Sequence, residues 1–389
     1  MVLHPSSDPS RSLAAVTRER NAWLEIDLDA AASNATAVKA WVGMGVELIA
    51  VVKANAYGHG IAGIAPAIEA QVDRYAVVWP AEALTLRALG VRKPVLVLGH
   101  AFPGDAADCV TRDITLTVHS LALGAALSAA ATAAGRTAKV HVKVDTGLHR
   151  FGLALDEVVA LAQKLRALPG IEVEGLWTHM ANADEADDSF SEHQHAIFGE
   201  AVRLLPWIPY RHTANSAGAL RRAELRYEGV RTGLSLRGLL PPNTPGPTLR
   251  PVLALKARLA RVHDIAAGEG VSYGLTWRAA APARIALVPV GYADGWKRQL
   301  GNRGHVLVGG LPCPVVGKVA MDQFMADVTA VPGAAEGDEA VLIGTQGGHT
   351  ITADDVAEAA GTISWDVLAS LGARLPRLHH RGGHVVLEE

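Results

Sequence analysis

A lysine, Lys53, stands directly after an apolar run in the stretch ELIAVVKANAYGHG, which covers residues 47–60. Small residues, Tyr57 and a glycine follow it, as is typical of a strand that ends in a turn. A lysine can carry covalent chemistry with a carbonyl compound when burial or a nearby cation lowers its pKa. The simpler interpretation is a solvated lysine, because the ends of strands tolerate polar groups.

Other polar residues follow later apolar runs and enlarge this candidate set. They are Lys143, Asp145 and Arg150, then His179, then His212, Asn215 and Ser216, and finally Arg231, Thr232 and Gly233. If the runs are strands of one parallel barrel, their carboxyl ends meet on one face, where functional groups collect. Two lysines, one of them the candidate reactive amine, two imidazoles, two arginines and a cradle of small residues would then lie together.

The small residues indicate what such a face would bind. Asn-Ser-Ala-Gly at 215–218 and Thr-Gly-Leu at 232–234 follow the last two runs. Loops in these positions of a barrel commonly hold a phosphate through backbone N–H groups and hydroxyls. A lysine on another strand of the same rim is a candidate Schiff-base former. Pyridoxal phosphate, with an aldehyde at one end and a phosphate at the other, fits both requirements.

The elements that must position these groups are eight short β-like runs separated by segments of helical period. The runs are 47–53, 75–79, 95–99, 114–118, 139–145, 173–179, 210–214 and 229–236, and the helical segments include 63–70, 81–89, 121–134, 156–167 and 191–205. Such alternation predicts parallel strands, because each crossover needs a dozen or more residues. We predict a (β/α)8 TIM barrel. A doubly wound sheet is the alternative, although its usual Gly-rich first turn is absent.

The chain changes character at PPNTPGPTLRP, residues 241–251, which has the composition of a linker. Beyond it, β-rich runs separated by Gly-Gly turns predict a mainly antiparallel β domain, followed by a helical pattern at 352–360. We therefore expect a flexible tail at 1–20, a cofactor-binding barrel at 21–248 and a C-terminal β domain at 249–389 that carries the second catalytic residue.

Composition restricts the partners and the compartment. The 389 residues carry a formal net charge of −3 without a basic block, so we expect neither nucleic-acid nor membrane binding. No run approaches the about 20 apolar residues of a membrane span. Cys109 and Cys313 are far apart, which suits a reducing cytoplasm and predicts no metal site. A soluble cytoplasmic protein is predicted.

Several ordered motifs resemble those of the alanine racemases, which are fold-type III pyridoxal-phosphate enzymes, from about Trp23 to Arg377. The motifs are AVVKANAYGHG (50–60), KVDTGLHRFG (143–152), THMANAD (178–184), ANSAG (214–218), VRTG (230–233), GEGVSYG (268–274), GYADGW (291–296) and MDQ (321–323). The resemblance implies a pyridoxal-phosphate-dependent racemase of small amino acids, with alanine as the leading substrate.

The resemblance also implies a role for each matching residue. Lys53 matches the Schiff-base lysine and Tyr273 the tyrosine on the opposite face, supplied by the partner of a homodimer with shared active sites. Arg231 matches the arginine at the pyridine nitrogen, with His212 supporting it and His179 packing on the cofactor ring. The remaining matches are phosphate contacts at Tyr57, Ser216, Gly233 and Leu234, substrate-carboxylate contacts at Arg150 and Met321, and a sometimes carbamylated lysine at Lys143, which orients Arg150.

Four positions depart from the pattern that the resemblance leads us to expect. Trp365 and Arg237 stand where tyrosines are usual, Ala320 where many relatives have cysteine, and His149 where a small residue precedes the arginine. These changes leave open a racemase of serine or of a larger or basic amino acid. A fold-type III decarboxylase would use a carboxylate at the pyridine nitrogen, which Arg231 opposes. A non-enzymatic cofactor-binding protein would lack the second domain.

Overall fold

The computed structural model describes residues 4–5 and 12–389. The chain divides into two compact units. One, the barrel unit, contains Ala30–Ala56 and Ile64–Arg250, and the other, the β unit, contains the described residues up to Asp29 with Tyr57–Gly63 and Pro251–Glu389. Within the predicted tail, Leu13–Thr17 forms a short helix that Ser12 caps, and residues 1–3 and 6–11 lie outside the described part of the chain.

Eight parallel strands form the barrel unit, as predicted. Barrel strands 1 to 8 are Glu47–Val51, Arg74–Val77, Val95–Val97, Ile114–Val118, Ala138–Lys143, Ile171–Trp177, Tyr210–His212 and Gly229–Thr232. Each pairs with the next up to strand 7, and strand 8 pairs with strand 1. The N–H groups of Glu228 and Arg231 donate to the carbonyls of Arg211 and Ala214 at 3.1 and 3.0 Å, which nearly closes the barrel between strands 7 and 8. The alternative of an open doubly wound sheet is wrong.

Helices separate the barrel strands where the apolar period predicts them. The predicted segments correspond to Ile61–Ile68, Pro80–Ala88, Leu121–Ala134, Leu155–Arg166 and Ser189–Leu204. The helix Leu121–Ala134 begins where Ser120 accepts a hydrogen bond from the Leu123 N–H and ends at Gly135 in the left-handed conformation. Three further helices, Leu28–Val42, Ala106–Thr111 and Ser216–Arg221, were not predicted.

The β unit is built on a mainly antiparallel sheet, which confirms the predicted class. Its order is His4–Pro5, His384–Glu388, Arg377–Arg381, Ala22–Asp27, Leu253–Arg258, Glu339–Gln346, His305–Val308, Leu311–Val316, Phe324–Asp327, Ala283–Val288 and Arg261–Ile265, with His349–Ile351 beside Glu339–Gln346. Two helices, Ala353–Ala360 and Ser364–Ala369, follow the strand His349–Ile351. The first lies at the predicted helical pattern, and the second was not predicted.

One strand lies on a different side of the predicted domain boundary. Ala22–Asp27 pairs in parallel with Arg377–Arg381 and antiparallel with Leu253–Arg258, so it belongs to the sheet of the β unit. Both its neighbours are more than 220 residues away in the sequence, which is why a reading along the chain could not assign it. Among the described residues, no helix combines the length and the apolar character that crossing a bilayer requires.

Candidate active site

Lys53 follows barrel strand 1 and opens a turn of left-handed backbone. The φ angles of Ala54, Asn55 and Ala56 are 52°, 51° and 54°. Left-handed backbone costs roughly 1–2 kcal/mol for each residue that carries a Cβ. Conformational strain of this kind clusters at functional sites, where the surrounding structure maintains it.

The Glu82 carboxylate stabilises the strained turn from the first turn of the helix Pro80–Ala88. It accepts hydrogen bonds from the Ala54 N–H at 2.6 Å and from the N–H groups of Val78 and Trp79 at 2.9 and 3.1 Å. The same carboxylate acts on Lys53. Burial lowers the pKa of the Lys53 amine and the nearby Arg150 lowers it further, whereas Glu82 opposes both effects. The amine is therefore more readily deprotonated than a solvated lysine.

Arg231 on barrel strand 8 is a buried cation whose donors are almost fully used. One terminal nitrogen donates to the His212 ring Nδ1 at 2.6 Å and to the His212 carbonyl at 3.0 Å. The other donates to the carbonyls of Thr178 and Thr213, both at 2.8 Å. A guanidinium has five N–H donors, and the fifth, Nε–H, has no partner among the described residues. A buried donor without a protein partner is a position where a water molecule or a ligand can supply the acceptor.

The imidazoles beside Arg231 are neutral. His212 is buried, and burial together with the charge of Arg231 holds its pKa well below the usual value. His179 has its Nδ1 3.5 Å from an Arg231 terminal nitrogen, and the same two causes hold its pKa well below the usual value. Burial lowers the pKa of Arg231 itself to about 9, so the guanidinium stays charged at neutral pH.

The loops that follow barrel strands 7 and 8 come together as predicted for a phosphate cradle. The Gly233 N–H donates to the Ser216 hydroxyl at 3.2 Å. Asn215 caps the short helix Ser216–Arg221 by accepting from the Gly218 N–H at 3.0 Å. Leu234 is buried and begins a 3-10 turn directly after Gly233. Hydroxyl and backbone N–H groups thus lie side by side at this end of the barrel.

Lys143 ends barrel strand 5 as a buried amine. It donates to the Phe151 carbonyl and lies 5.0 Å from the ring centre of Trp177. Burial, with the charges of Arg150 and Arg231, lowers its pKa to about 8. Arg150 is exposed, and its charge acts on both Lys53 and Lys143. The barrel unit therefore gathers Lys53, Lys143, Arg150, His179 and Arg231 into one electrostatic group.

Three predicted site residues belong to the β unit. Tyr273 is 72% exposed and lies between the strands Gly270–Val271 and Trp277–Arg278, in a turn where Ser272 has a φ of 61°. Met321 is 54% exposed. Tyr57 is buried, with a φ of 59°, and its carbonyl lies 2.9 Å from the His59 Nδ1. The roles of these three residues stay predictions.

The four residues that differ from the expected family pattern occupy different environments. Arg237 is buried and approaches the carbonyls of Ala56 and Val51 at 3.3 Å, so its cation lies below the lysine-bearing turn. His149 is exposed, with its ring 3.4 Å from the Asp145 carboxylate. Trp365 is half-buried in the helix Ser364–Ala369, and Ala320 is half-buried in the β unit.

Sequence reasoning missed the residues that support this site. Glu82 carried a detectable signal, because an acidic residue three positions after Trp79 and two after Pro80 is typical of a helix N-terminus. His141 and Glu174 also carried one, as polar residues inside apolar runs that we predicted to be barrel strands. The left-handed turn at 54–56 carried little signal, since Asn55 tolerates that conformation but the alanines on either side do not favour it.

Comparison with known proteins identifies the family. The alanine racemase N-terminal domain matches residues 26–241 and the C-terminal domain matches 252–379. The alanine racemase of Symbiobacterium thermophilum is 42% identical over 369 residues, covering 92% of this chain and 97% of the relative.

Two solved structures are also similar. The alanine racemase of Bacillus anthracis with bound L-Ala-P has a TM-score of 0.88 and 36% identity, covering 95% of this chain and 97% of that one. The alanine racemase of Clostridium difficile 630 has a TM-score of 0.89 and 33% identity, covering 95% and 98%. The fold class is that of two-domain amino-acid racemases. Within it, this chain belongs to the alanine racemase family.

The charges around Lys53 predict opposite effects of two substitutions. Arg150→Gln removes a neighbouring cation and should raise the pKa of Lys53, whereas Glu82→Gln removes an anion and should lower it. The pH dependence of Lys53 acetylation by acetic anhydride, followed by peptide mass spectrometry, measures both. Arg136→Gln, at an exposed site elsewhere on the barrel unit, is the control. An unchanged profile in Arg150→Gln, or an equal change in the control, would contradict the assignment.

Proposed function

We propose that this chain is a pyridoxal-phosphate-dependent racemase that interconverts L-alanine and D-alanine. The observation that carries the proposal is the Arg231 guanidinium, buried with four N–H groups used by protein acceptors and its Nε–H unpaired among the described residues. Relatives named alanine racemase that match over more than nine-tenths of their length support the choice of substrate.

The residues of the barrel unit fit pyridoxal phosphate. The Arg231 Nε–H suits the ring nitrogen, and the Lys53 amine suits the aldehyde. The Ser216 hydroxyl offers a donor for the phosphate, Gly233 and Leu234 are proposed phosphate contacts beside it, and Tyr57, which belongs to the β unit, is a further proposed phosphate contact. His179, neutral and apolar on its faces, suits contact with the ring. When bound, pyridoxal phosphate supplies a carbonyl for the substrate amine and a ring that withdraws electrons from the α-carbon.

Racemisation requires two groups that move protons on opposite faces of the α-carbon. Lys53, whose pKa is lowered by burial and by Arg150, removes or returns the proton on one face. Tyr273 does the same on the other face, in the opposite order for the reverse direction. Arg150 and the Met321 backbone N–H hold the substrate carboxylate, and Lys143 would orient Arg150 once carbamylated, because a carbamate supplies the acceptor that an amine lacks. Arg231 keeps its own proton, so the ring nitrogen accepts a hydrogen bond without becoming cationic.

The chemistry at Arg231 favours a racemase over a decarboxylase of the same fold. A carboxylate beside the ring nitrogen would make the ring a stronger electron sink, whereas the Arg231 partners are carbonyls and a neutral imidazole among the described residues. Trp365, Ala320 and Arg237 bear on the choice of amino acid, so a racemase of serine or of a larger or basic amino acid is the competing function.

Incubation of the holoenzyme with a panel of L-amino acids in D2O tests the reaction and the substrate together. We expect L-alanine to yield D-alanine with deuterium at the α-carbon, measured by chiral chromatography and mass spectrometry, and Lys53→Ala to abolish both. Tyr273→Phe should reduce kcat by about 10²–10⁴-fold, the range typical of a general acid–base group. Carbon dioxide release without α-exchange would contradict a racemase. Exchange of serine or lysine in preference to alanine would contradict only the substrate.

Mixing two inactive variants tests the proposed homodimer with shared active sites. If Tyr273 acts in the partner's site, a mixed dimer of Lys53→Ala and Tyr273→Phe chains contains one native site and one doubly altered site. Activity should then return to about a quarter of the native value, because half of the dimers are mixed and each has one native site. Two Lys53→Ala chains carrying different affinity tags are the control. Failure to recover activity while mixed dimers form would contradict sharing.

A further inference from the structure

A chain of hydrogen bonds leads from Arg231 into the interior of the barrel. The His212 ring Nδ1 lies 2.6 Å from an Arg231 terminal nitrogen, and its Nε2 lies 3.0 Å from the His141 Nδ1. The His141 Nε2 in turn lies 3.1 Å from a Glu174 carboxylate oxygen. His141 and His212 have no solvent exposure, and Glu174 is buried. The four side chains come from barrel strands 8, 7, 5 and 6.

The direction of every hydrogen bond in this chain is fixed by its two ends. A guanidinium has only donors, so the His212 Nδ1 must accept and its proton must be on Nε2. That proton is donated to the His141 Nδ1, which leaves the His141 proton on Nε2, where the Glu174 carboxylate accepts it. Burial lowers the pKa of His141 in spite of Glu174, so both rings are neutral.

A local irregularity of barrel strand 6 brings Glu174 to this position. The pairing of strands 5 and 6 joins Val140 to Val173 and then His141 to Gly175, so Glu174 has no opposite residue and forms a β-bulge. Gly175 is equally necessary, because a Cβ there would lie 2.5 Å from the His141 ring. The bulge and the glycine together admit the His141 ring and its carboxylate partner.

Other contacts keep the carboxylate ionised and the rings in place. Arg74 donates to both Glu174 oxygens at 3.0 and 3.1 Å and to Glu47 at 2.7 Å. Burial would raise the pKa of Glu174, but the hydrogen bonds from His141 and Arg74 outweigh it and lower the pKa well below the usual value. Trp177 stacks on the His212 ring, with 5.6 Å between the ring centres.

We propose that Glu174 is a positioning residue for Arg231, acting through His141 and His212 from inside the barrel. By holding both imidazoles as Nε2-protonated tautomers, it keeps the His212 Nδ1 as an acceptor for Arg231. The guanidinium is thereby oriented so that its Nε–H is the one donor left for a ligand. The loss of activity that we expect when this chain of hydrogen bonds is broken rests on the proposed function, whereas the tautomers of the two rings do not.

Nitrogen-15 NMR of holoenzyme with labelled histidines tests the direction of these hydrogen bonds without any substitution. The ring nitrogen shifts should show His141 and His212 as neutral Nε2-protonated tautomers that do not titrate between about pH 6 and pH 9, where a free histidine loses its charge. An Nδ1-protonated or cationic ring at either position would overturn the proposal, whatever the catalytic activity. The same spectrum is expected if the substrate is not alanine.

Two substitutions interrupt the hydrogen-bond chain in different ways. Glu174→Leu removes the terminal acceptor, and Gly175→Ala displaces the His141 ring without removing a polar atom. In each, the His212 ring shifts should change, and kcat for alanine should fall on the order of 10- to 100-fold, as when hydrogen-bond partners of active-site groups are removed. KM should change little, because Arg231 does not hold the substrate carboxylate.

The controls separate positioning from general stability. Glu172→Gln alters an exposed carboxylate two residues away on the same strand, and Gly199→Ala adds a methyl group to a helix where no atom lies within 4 Å. Both should retain native shifts and kcat. If Glu174→Leu does not fold, Gly175→Ala alone decides. The proposal would be overturned if Glu174→Leu or Gly175→Ala folds and keeps native His212 shifts, or folds and keeps native kcat.

Discussion

The barrel unit is organised around the burial of one positive charge without a carboxylate in contact with it. Burying an ion without compensating partners is among the most costly events in folding. Arg231 is compensated by carbonyl dipoles from the ends of barrel strands 6 and 7 and by a neutral imidazole. Because the hydrogen-bond chain that starts at Arg231 reaches a carboxylate only beyond two histidines, the guanidinium stays charged, and its Nε–H has no partner among the described residues.

That charge sets the state of its neighbours. Burial holds the pKa of His179 and His212 down and the Arg231 charge lowers it further, and burial with the charges of Arg150 and Arg231 does the same to the pKa of Lys143. Burial and the charge of Arg150 lower the pKa of Lys53, and the charge of Glu82 limits this effect. The same group therefore supplies a positive environment suited to a phosphate ester and amines that release their protons more readily than solvated lysines do. Binding and proton transfer follow from one electrostatic arrangement.

The sequence predicted the parts of this arrangement that depend on short, periodic signals. Eight apolar runs separated by helices implied the barrel, and because carboxyl ends of parallel strands share one face, Lys53, His179 and Arg231 could be placed together. The motifs then supplied the family. Arg231 was predicted at the cofactor, but its complete set of partners was not, since backbone carbonyls leave no trace in residue types.

Three features lay beyond sequence reasoning for identifiable physical reasons. The left-handed turn at 54–56 consists mainly of alanines and is held by the distant Glu82, so tertiary hydrogen bonds override local preference. The bulge at Glu174 depends on the register of two strands. The strand Ala22–Asp27 pairs with partners beyond residue 250, so its place in the β unit is a long-range property.

The central claim is that the Arg231 Nε–H donates to the cofactor's ring nitrogen while Arg231 keeps its proton. The most direct measurement is the nitrogen-15 chemical shift of the ring in holoenzyme reconstituted with pyridoxal phosphate labelled at that nitrogen. An unprotonated, hydrogen-bonded pyridine shift that persists from about pH 6 to pH 8, below the lowered pKa of Arg231 of about 9, is the expected result. A shift typical of a pyridinium ion would contradict the claim.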